Sequence, residues 1–462
     1  MPKHAPLTEH KYVLPFVLVT SLFFLWSIGV NLNDVLIPHL KKTFDLSDFQ
    51  SSFIQVAFFG GYFLAAFPAG RLMEKIGYKK GILLGLLICA TGTLLFLPAA
   101  SSRTYGFFLL ALFVMSCGQS FLEVGANPYV TVLGPVESSE RRLNFAQSFN
   151  AVGAALVPTL GAAFVLSGVE YTQAQRAAMT VDQLRDYIAF ETNTVRGPYI
   201  AVTILFLFVA GLIYLAHLPE VQAEGPSGSG GPGKGGVHEV LAHSHLIKGV
   251  IAQFFYVGAQ VGVASFVIRF VKFTVPQTLG HMAAWGLDFG EQNPRGFLAH
   301  LVPTSLEKMA ALFLVAHQVG FMIGRFTGSW MMKGVSASRL LATFALCALI
   351  CTIIAIGAPG IASVLAVVFV GFFNSIMFPT IFALSLKNLG GLTKRGSSLL
   401  VMSIIGGALI PAVMGRISDA SNIRTAFLVP LVCYAYVVYF AVWGCQPKSA
   451  AIEAAPTEAI SK

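Results

Sequence analysis

Residues 12–30 read "YVLPFVLVTSLFFLWSIGV", and residues 31–40, "NLNDVLIPHL", follow without a break. The first stretch is uncharged and long enough to cross a bilayer core as a helix, which takes about 20 residues. The second sets Asn31, Asn33 and Asp34 inside, or at the mouth of, the same segment. Polar groups in hydrocarbon cost free energy unless they face protein or water, so such a cluster marks a route or a contact.

The rest of the chain has the same character. Of its 462 residues, 55% are hydrophobic and 11% charged, with a mean hydropathy of +0.73. Water-soluble domains carry about 25% charged residues. The class is therefore an all-α integral membrane protein, in which helices satisfy their own backbone groups. Twelve candidate spans cover about 12–38, 49–73, 80–99, 106–134, 143–167, 198–217, 247–272, 309–332, 338–357, 361–386, 396–415 and 425–444.

Lys and Arg recur in short loops, "RLMEKIGYKK" (71–80), "ESSERR" (137–142) and "KNLGGLTKR" (387–395), with "HLKK" (39–42) on the other side as an exception. Basic short loops stay in the cytoplasm, so both termini are expected there. No stretch interleaves basic and aromatic residues as a nucleic-acid groove would. The Gly-, Pro- and Ser-rich "EGPSGSGGPGKGGVHEV" (224–240) reads as a linker. It divides residues 1–217, a six-helix bundle, from 247–445, a second one, with 218–246 as connector and 446–462 as a cytoplasmic tail. Paired bundles with a path between them are a transporter architecture.

Few polar residues fall inside the spans. Glu123, within "SFLEVGANPYV" (120–130), lies near mid-helix with no neighbouring charge in its span, which makes it a candidate to hold and release a proton. The alternative is a structural carboxyl paired with an arginine of another helix. Asp34 shares a helical face with Asn31 and Ser27; with Lys41 and Lys42 two turns on, it also fits a wet boundary residue. Asn144, Gln147 and Asn150 recur every three residues on one face, and Gln253, Tyr256 and Gln260 repeat the pattern. Amides offer a donor and an acceptor each, which suits sugar hydroxyls; they equally serve as polar glue between helices. Asn127 in the fourth span, Arg269 in the seventh, Gln318 and Arg325 in the eighth and Asn374 in the tenth complete the set; Arg325 also fits the tail of a cytoplasmic loop motif and Arg269 a side chain reaching the outer interface. Pro128, Pro158, Pro379 and Pro411 lie inside spans and should kink or loosen their helices; kinks next to Glu123 and Asn374 would free backbone groups there, and the prolines equally serve as packing features.

Other chemistries fail. "GSGGPGKG" (228–235) lacks the Ser or Thr after its lysine that a phosphate loop uses to hold magnesium. The six cysteines lie in apolar runs without metal or disulfide spacing. There is no nucleophile elbow and no zinc-protease helix. The chain is expected to be no enzyme, to bind no metal and to need no cofactor.

The stretches "NLNDVLIP", "SFLEVGANPYVTVLG", "RLNFAQSFNAVGA", "AQFFYVGAQVGVASFVIR", "IGRFTGSW", "FPTIFALSLKNLG" and "GSSLLVMSIIGGALIPAVMGRISD" occur in this order. Together they resemble the L-fucose permease family, the fucose, glucose and galactose branch of the major facilitator superfamily. The resemblance covers about residues 12–444. It implies a monomeric carrier in a bacterial inner membrane that imports a monosaccharide with protons by alternating access. It implies proton coupling at Asp34 and Glu123, and a sugar pocket with Asn31, Glu123, Gln147 and Asn150. Arg325 matches the family's span 8 arginine. "GRLMEKIGYKK" resembles the superfamily's loop between spans 2 and 3, with Arg71 in place and Glu74 where Asp is usual. Gln253, Gln260, Asn374 and Phe378 join the candidate sugar contacts. Phe378 stands where the fucose type has Tyr, and the wording "SIMFPTIF" is nearer the glucose/galactose members.

Overall fold

A computed structural model describes residues 5–44, 46, 48–165, 175, 178–219, 240–275 and 306–446. Within the helices it leaves out the side chains of residues 33–35, 37, 38, 41, 42, 48, 49, 51, 52, 158–165 and 306–308. Most of the linker, the 273–308 connector and the C-terminal tail lie outside the described residues.

Among the described residues, ten helical stretches are long and apolar enough to span a membrane. One of them, Phe53–Ser102, has 50 residues, about 75 Å of helix, far more than one crossing needs. It breaks at Gly77, whose φ of 84° suits a residue without a Cβ. The break separates α2 (residues 48–76) from α3 (78–94). The more polar α5 (Ser139–Val165) adds a further span. The others are α1 (Val13–Thr43), α4 (Tyr105–Val132), α6 (Arg196–Leu215), α7 (Ser244–Thr274), α8 (Leu306–Met331) and α9 (Ala337–Gly357). In α10, Ile361–Asn374 is followed by Met377–Leu386; in α11, Thr393–Met402 is followed by Gly406–Ala420; α12 opens with Leu428–Tyr439.

The first six spans pack mainly on one another, as do the last six; α5 meets α8 and α10, and α11 meets α2 and α4. Large apolar side chains such as Leu64, Ile204 and Val432 point outward, as a lipid-facing surface requires.

The connector 168–197, between the fifth and sixth spans, contains a helix, Val181–Thr194. A capping box starts it: Gln183 N donates to Thr180 Oγ1 and Thr180 N donates to Gln183 Oε1 at 3.0 Å. It docks on α1, where His39 Nε2 lies 3.1 Å from the main-chain oxygen of Glu191. At 31 residues, or about 47 Å, α1 outruns the hydrocarbon core.

Candidate functional site

A chain of hydrogen bonds starts on α4. Asn127, one turn beyond Glu123 on the same face, donates Nδ2 to Glu123 Oε2. Gln147 Nε2 on α5 donates to Asn127 Oδ1 at 2.8 Å. Arg325 Nη1 on α8 donates to Gln147 Oε1 at 2.9 Å and to the Gln147 main-chain oxygen at 2.6 Å. All four side chains are buried. The chain has a direction. A guanidinium only donates, so Gln147 must turn its oxygen to Arg325 and its NH₂ to Asn127, which in turn aims its NH₂ at the carboxyl. An acid of the first six spans is thereby tied, through two amides, to a cation of the last six.

Two prolines shape the surroundings. Pro379 has no N–H for the Ser375 carbonyl, one helical turn back. Arg325 Nε takes that carbonyl at 2.8 Å, while its guanidinium lies over the Phe321 ring at 4.7 Å. Pro128 likewise leaves the Val124 carbonyl without its helical donor, and Ser397 Oγ of α11 donates to it at 3.0 Å. The carbonyls expected to be freed by these prolines are freed, and each has been taken up by another helix.

From Gln147 the contacts between the two sets of six run toward the end bearing the basic loops. Asn144 Nδ2 donates to Thr380 Oγ1 at 3.0 Å, and Ser329 Oγ to the Arg141 main-chain oxygen at 3.3 Å. Lys387 pairs with Glu140 at 3.0 Å. Arg395 holds Glu74 through Nε at 2.5 Å and Nη2 at 2.9 Å, and Lys394 Nζ donates to Met73 O at 3.0 Å. These bonds form a seam that shuts the basic end.

The remaining candidates are placed unevenly. Asn31 donates to Ser27 O at 2.7 Å and Ser27 Oγ at 2.9 Å, staying within α1. Asn150 donates to Phe23 O at 3.3 Å, and Ser27 Oγ to the Asn150 main-chain oxygen at 2.7 Å, so this pair joins α1 to α5. The Asp34 side chain lies outside the described residues. Gln253 and Asn374 are fully buried, and their amide groups have no hydrogen-bond partner among the described residues. Tyr256 on α7 donates its hydroxyl to Asn374 O at 2.9 Å. Gln260 is half-buried. Phe378 stacks on Phe382, ring centres 6.1 Å apart, and faces Tyr256 at 6.5 Å. Arg71 stacks on Phe67 at 4.4 Å. Asn127 stood out in the sequence only as a polar residue inside a span, with no role assigned; Lys387 and Arg395 were not among the sequence candidates. Its four-residue spacing from Glu123 marks Asn127; the basic loops carry the other two, but no spacing names their partners.

Comparison with known proteins adds the relatives. The model of the Major Facilitator Superfamily matches residues 19–404. The chain is 40% identical over 441 residues to the L-fucose-proton symporter of Escherichia coli (strain K12), covering 95% of this chain and 94% of that protein. It is 38% identical over 446 residues to the glucose/galactose transporter of Brucella abortus biovar 1 (strain 9-941), covering 96% and 98%. A crystal structure of the transporter FucP in the outward conformation superposes with a TM-score of 0.79 at 39% identity, covering 94% of this chain and 99% of that one.

Proposed function

The chain belongs to the Major Facilitator Superfamily, and on that premise we propose that it imports a monosaccharide of the fucose, galactose or glucose type together with a proton, by alternating access. It is a multi-pass transporter, not an enzyme, and the proton is its coupling ion, with no cofactor. Residues 1–217 and 247–445 are the two moving halves, and the working unit is the monomer. The basic end is cytoplasmic, with both termini, so the closed seam belongs to a carrier facing outward.

The observation that carries this reading is the hydrogen-bond chain from Glu123 to Arg325. With Glu123 charged, the chain is polarised from end to end and Arg325 is held across the seam. A proton on Glu123 removes the anion at its far end, Arg325 loosens from Gln147, and the cytoplasmic end can part. Asp34 is the second carboxyl to be discharged. Enclosing either one charged in a closing low-dielectric gate costs several kcal/mol, which is why sugar and proton move together. Asn31, Gln147, Asn150 and Gln260 bind the sugar, with Phe378 as an apolar wall. Gln253 and Asn374 join once the α7–α10 contact loosens.

The test is uptake by proteoliposomes under an imposed pH gradient, with fucose, galactose, glucose and N-acetylglucosamine in competition. Uptake driven by an inward proton gradient, with external alkalinisation on adding sugar, supports symport. Equal uptake with and without the gradient would identify a facilitator instead.

A further inference from the structure

Arg142, near the start of α5, is fully buried. Its nearby acids are committed elsewhere, Glu140 to Lys387 and Glu9 to Lys11. The guanidinium spends its donors on oxygens instead. Nε donates to Val130 O at 2.7 Å; Nη1 to Leu7 O at 3.0 Å, Ser138 Oγ at 2.9 Å and Pro135 O at 3.2 Å; Nη2 to Thr131 O and Gly134 O. Val130 and Thr131 close the last turn of α4, where carbonyls are short of helical donors and a cation is favoured; Val130 O also accepts from Leu133 N at 3.3 Å. A Cβ on Gly134 would come within 2.8 Å of Nη1. The N-terminal segment completes the knot. Ser138 Oγ donates to Pro6 O at 2.9 Å, Arg141 Nη1 to Ala5 O at 3.3 Å and Thr8 Oγ1 to Leu133 O at 2.6 Å.

Arg142 precedes Gln147 by five residues on α5, and Val130 follows Asn127 by three on α4. The two helices are therefore pinned at two levels about 7.5 Å apart along α5. The deeper pin is one hydrogen bond between two flexible amides, and a slide of about 1 Å would take it out of range. We propose that Arg142, buttressed by residues Ala5–Thr8, is a positioning residue for proton coupling: it fixes the register of α4 against α5, and so holds Asn127 between Glu123 and Gln147. The proposal rests on the reading of Glu123 as a coupling acid.

The experiment compares Arg142→Lys, which keeps the charge but loses the planar fork, a carrier lacking residues 2–8, and Glu123→Gln. Each is purified, and the pH profile of sugar binding is measured alongside the ratio of gradient-driven uptake to sugar counterflow. The expected result is bound sugar in all three; in Arg142→Lys and the shortened carrier, a binding profile moved by at least half a pH unit and a coupling ratio lowered about tenfold; in Glu123→Gln, binding that no longer follows pH and a ratio lowered at least 100-fold. The shortened chain leaves α4 and α5 intact and gives the answer should Arg142→Lys not fold. Wild-type profiles and ratios in the folded Arg142→Lys and shortened carriers, beside a shifted Glu123→Gln, overturn the positioning role alone. An unshifted Glu123→Gln overturns the reading of the acid, and the positioning role with it.

Discussion

Arg325 reaches across from α8 and gives Gln147 of α5 two hydrogen bonds, one to the side chain and one to the main chain. A buried guanidinium left without an acceptor is costly, and a hydrogen bond to a charged group contributes about 1.5–3 kcal/mol. Gln147→Leu keeps the main-chain acceptor and removes the other. The population closed at the basic end should fall roughly tenfold or more, read as faster labelling of cysteines introduced along the half of α5 nearest the basic loops. Unchanged labelling would show that the seam does not depend on this bond.

Glu123→Gln replaces the acid by a permanently neutral group of the same shape. Sugar binding should persist and lose its dependence on pH, while gradient-driven uptake falls at least 100-fold and counterflow continues. A binding profile identical to that of the unmodified carrier would remove Glu123 from the coupling scheme.

Asp34→Ala should abolish the alkalinisation that follows sugar addition to cells in weakly buffered medium. Undiminished proton uptake by this variant would leave the coupling to Glu123 alone.

Glu74 and Arg395 form a two-pronged pair with both side chains largely covered. Reversing it, as Glu74→Arg with Arg395→Glu, should recover most of the transport that either single change removes. A double-mutant cycle should give a coupling of about 1 kcal/mol, as expected near a wet surface. Additive losses would mean the pair contributes no specific closure.

Phe378, which lies against Tyr256 and Phe382, is proposed as an apolar wall of the sugar pocket. Phe378→Tyr should raise the preference for fucose over glucose by roughly tenfold in competition assays, since one hydrogen bond in a dry site is worth about that much. No change in the ratio would place the specificity of this pocket elsewhere.

The spans were legible because a bilayer imposes one length on every crossing, and Gly77 and Pro379 mark the places where helices break. Glu123, Gln147 and Arg325 could each be picked out as expensive polar groups. Their connection could not, because it depends on the angle at which α4, α5 and α8 meet. The seam was harder still: Glu140 and Lys387 lie 247 residues apart, and any basic loop could have met any acid. The helix Val181–Thr194 is too short and polar to stand out by hydropathy, although Thr180 and Gln183 cap its start.

The bonds along α5 change in kind with depth. Glu140 meets a lysine that is 41% exposed at the rim, Asn144 meets a hydroxyl further in, and Gln147 meets the buried Arg325. Such a joint peels instead of snapping, starting where water already wets it. Dissolved ions weaken charge pairs at the rim and scarcely reach the interior. Salt at that end should therefore ease the first step of peeling while leaving the last untouched.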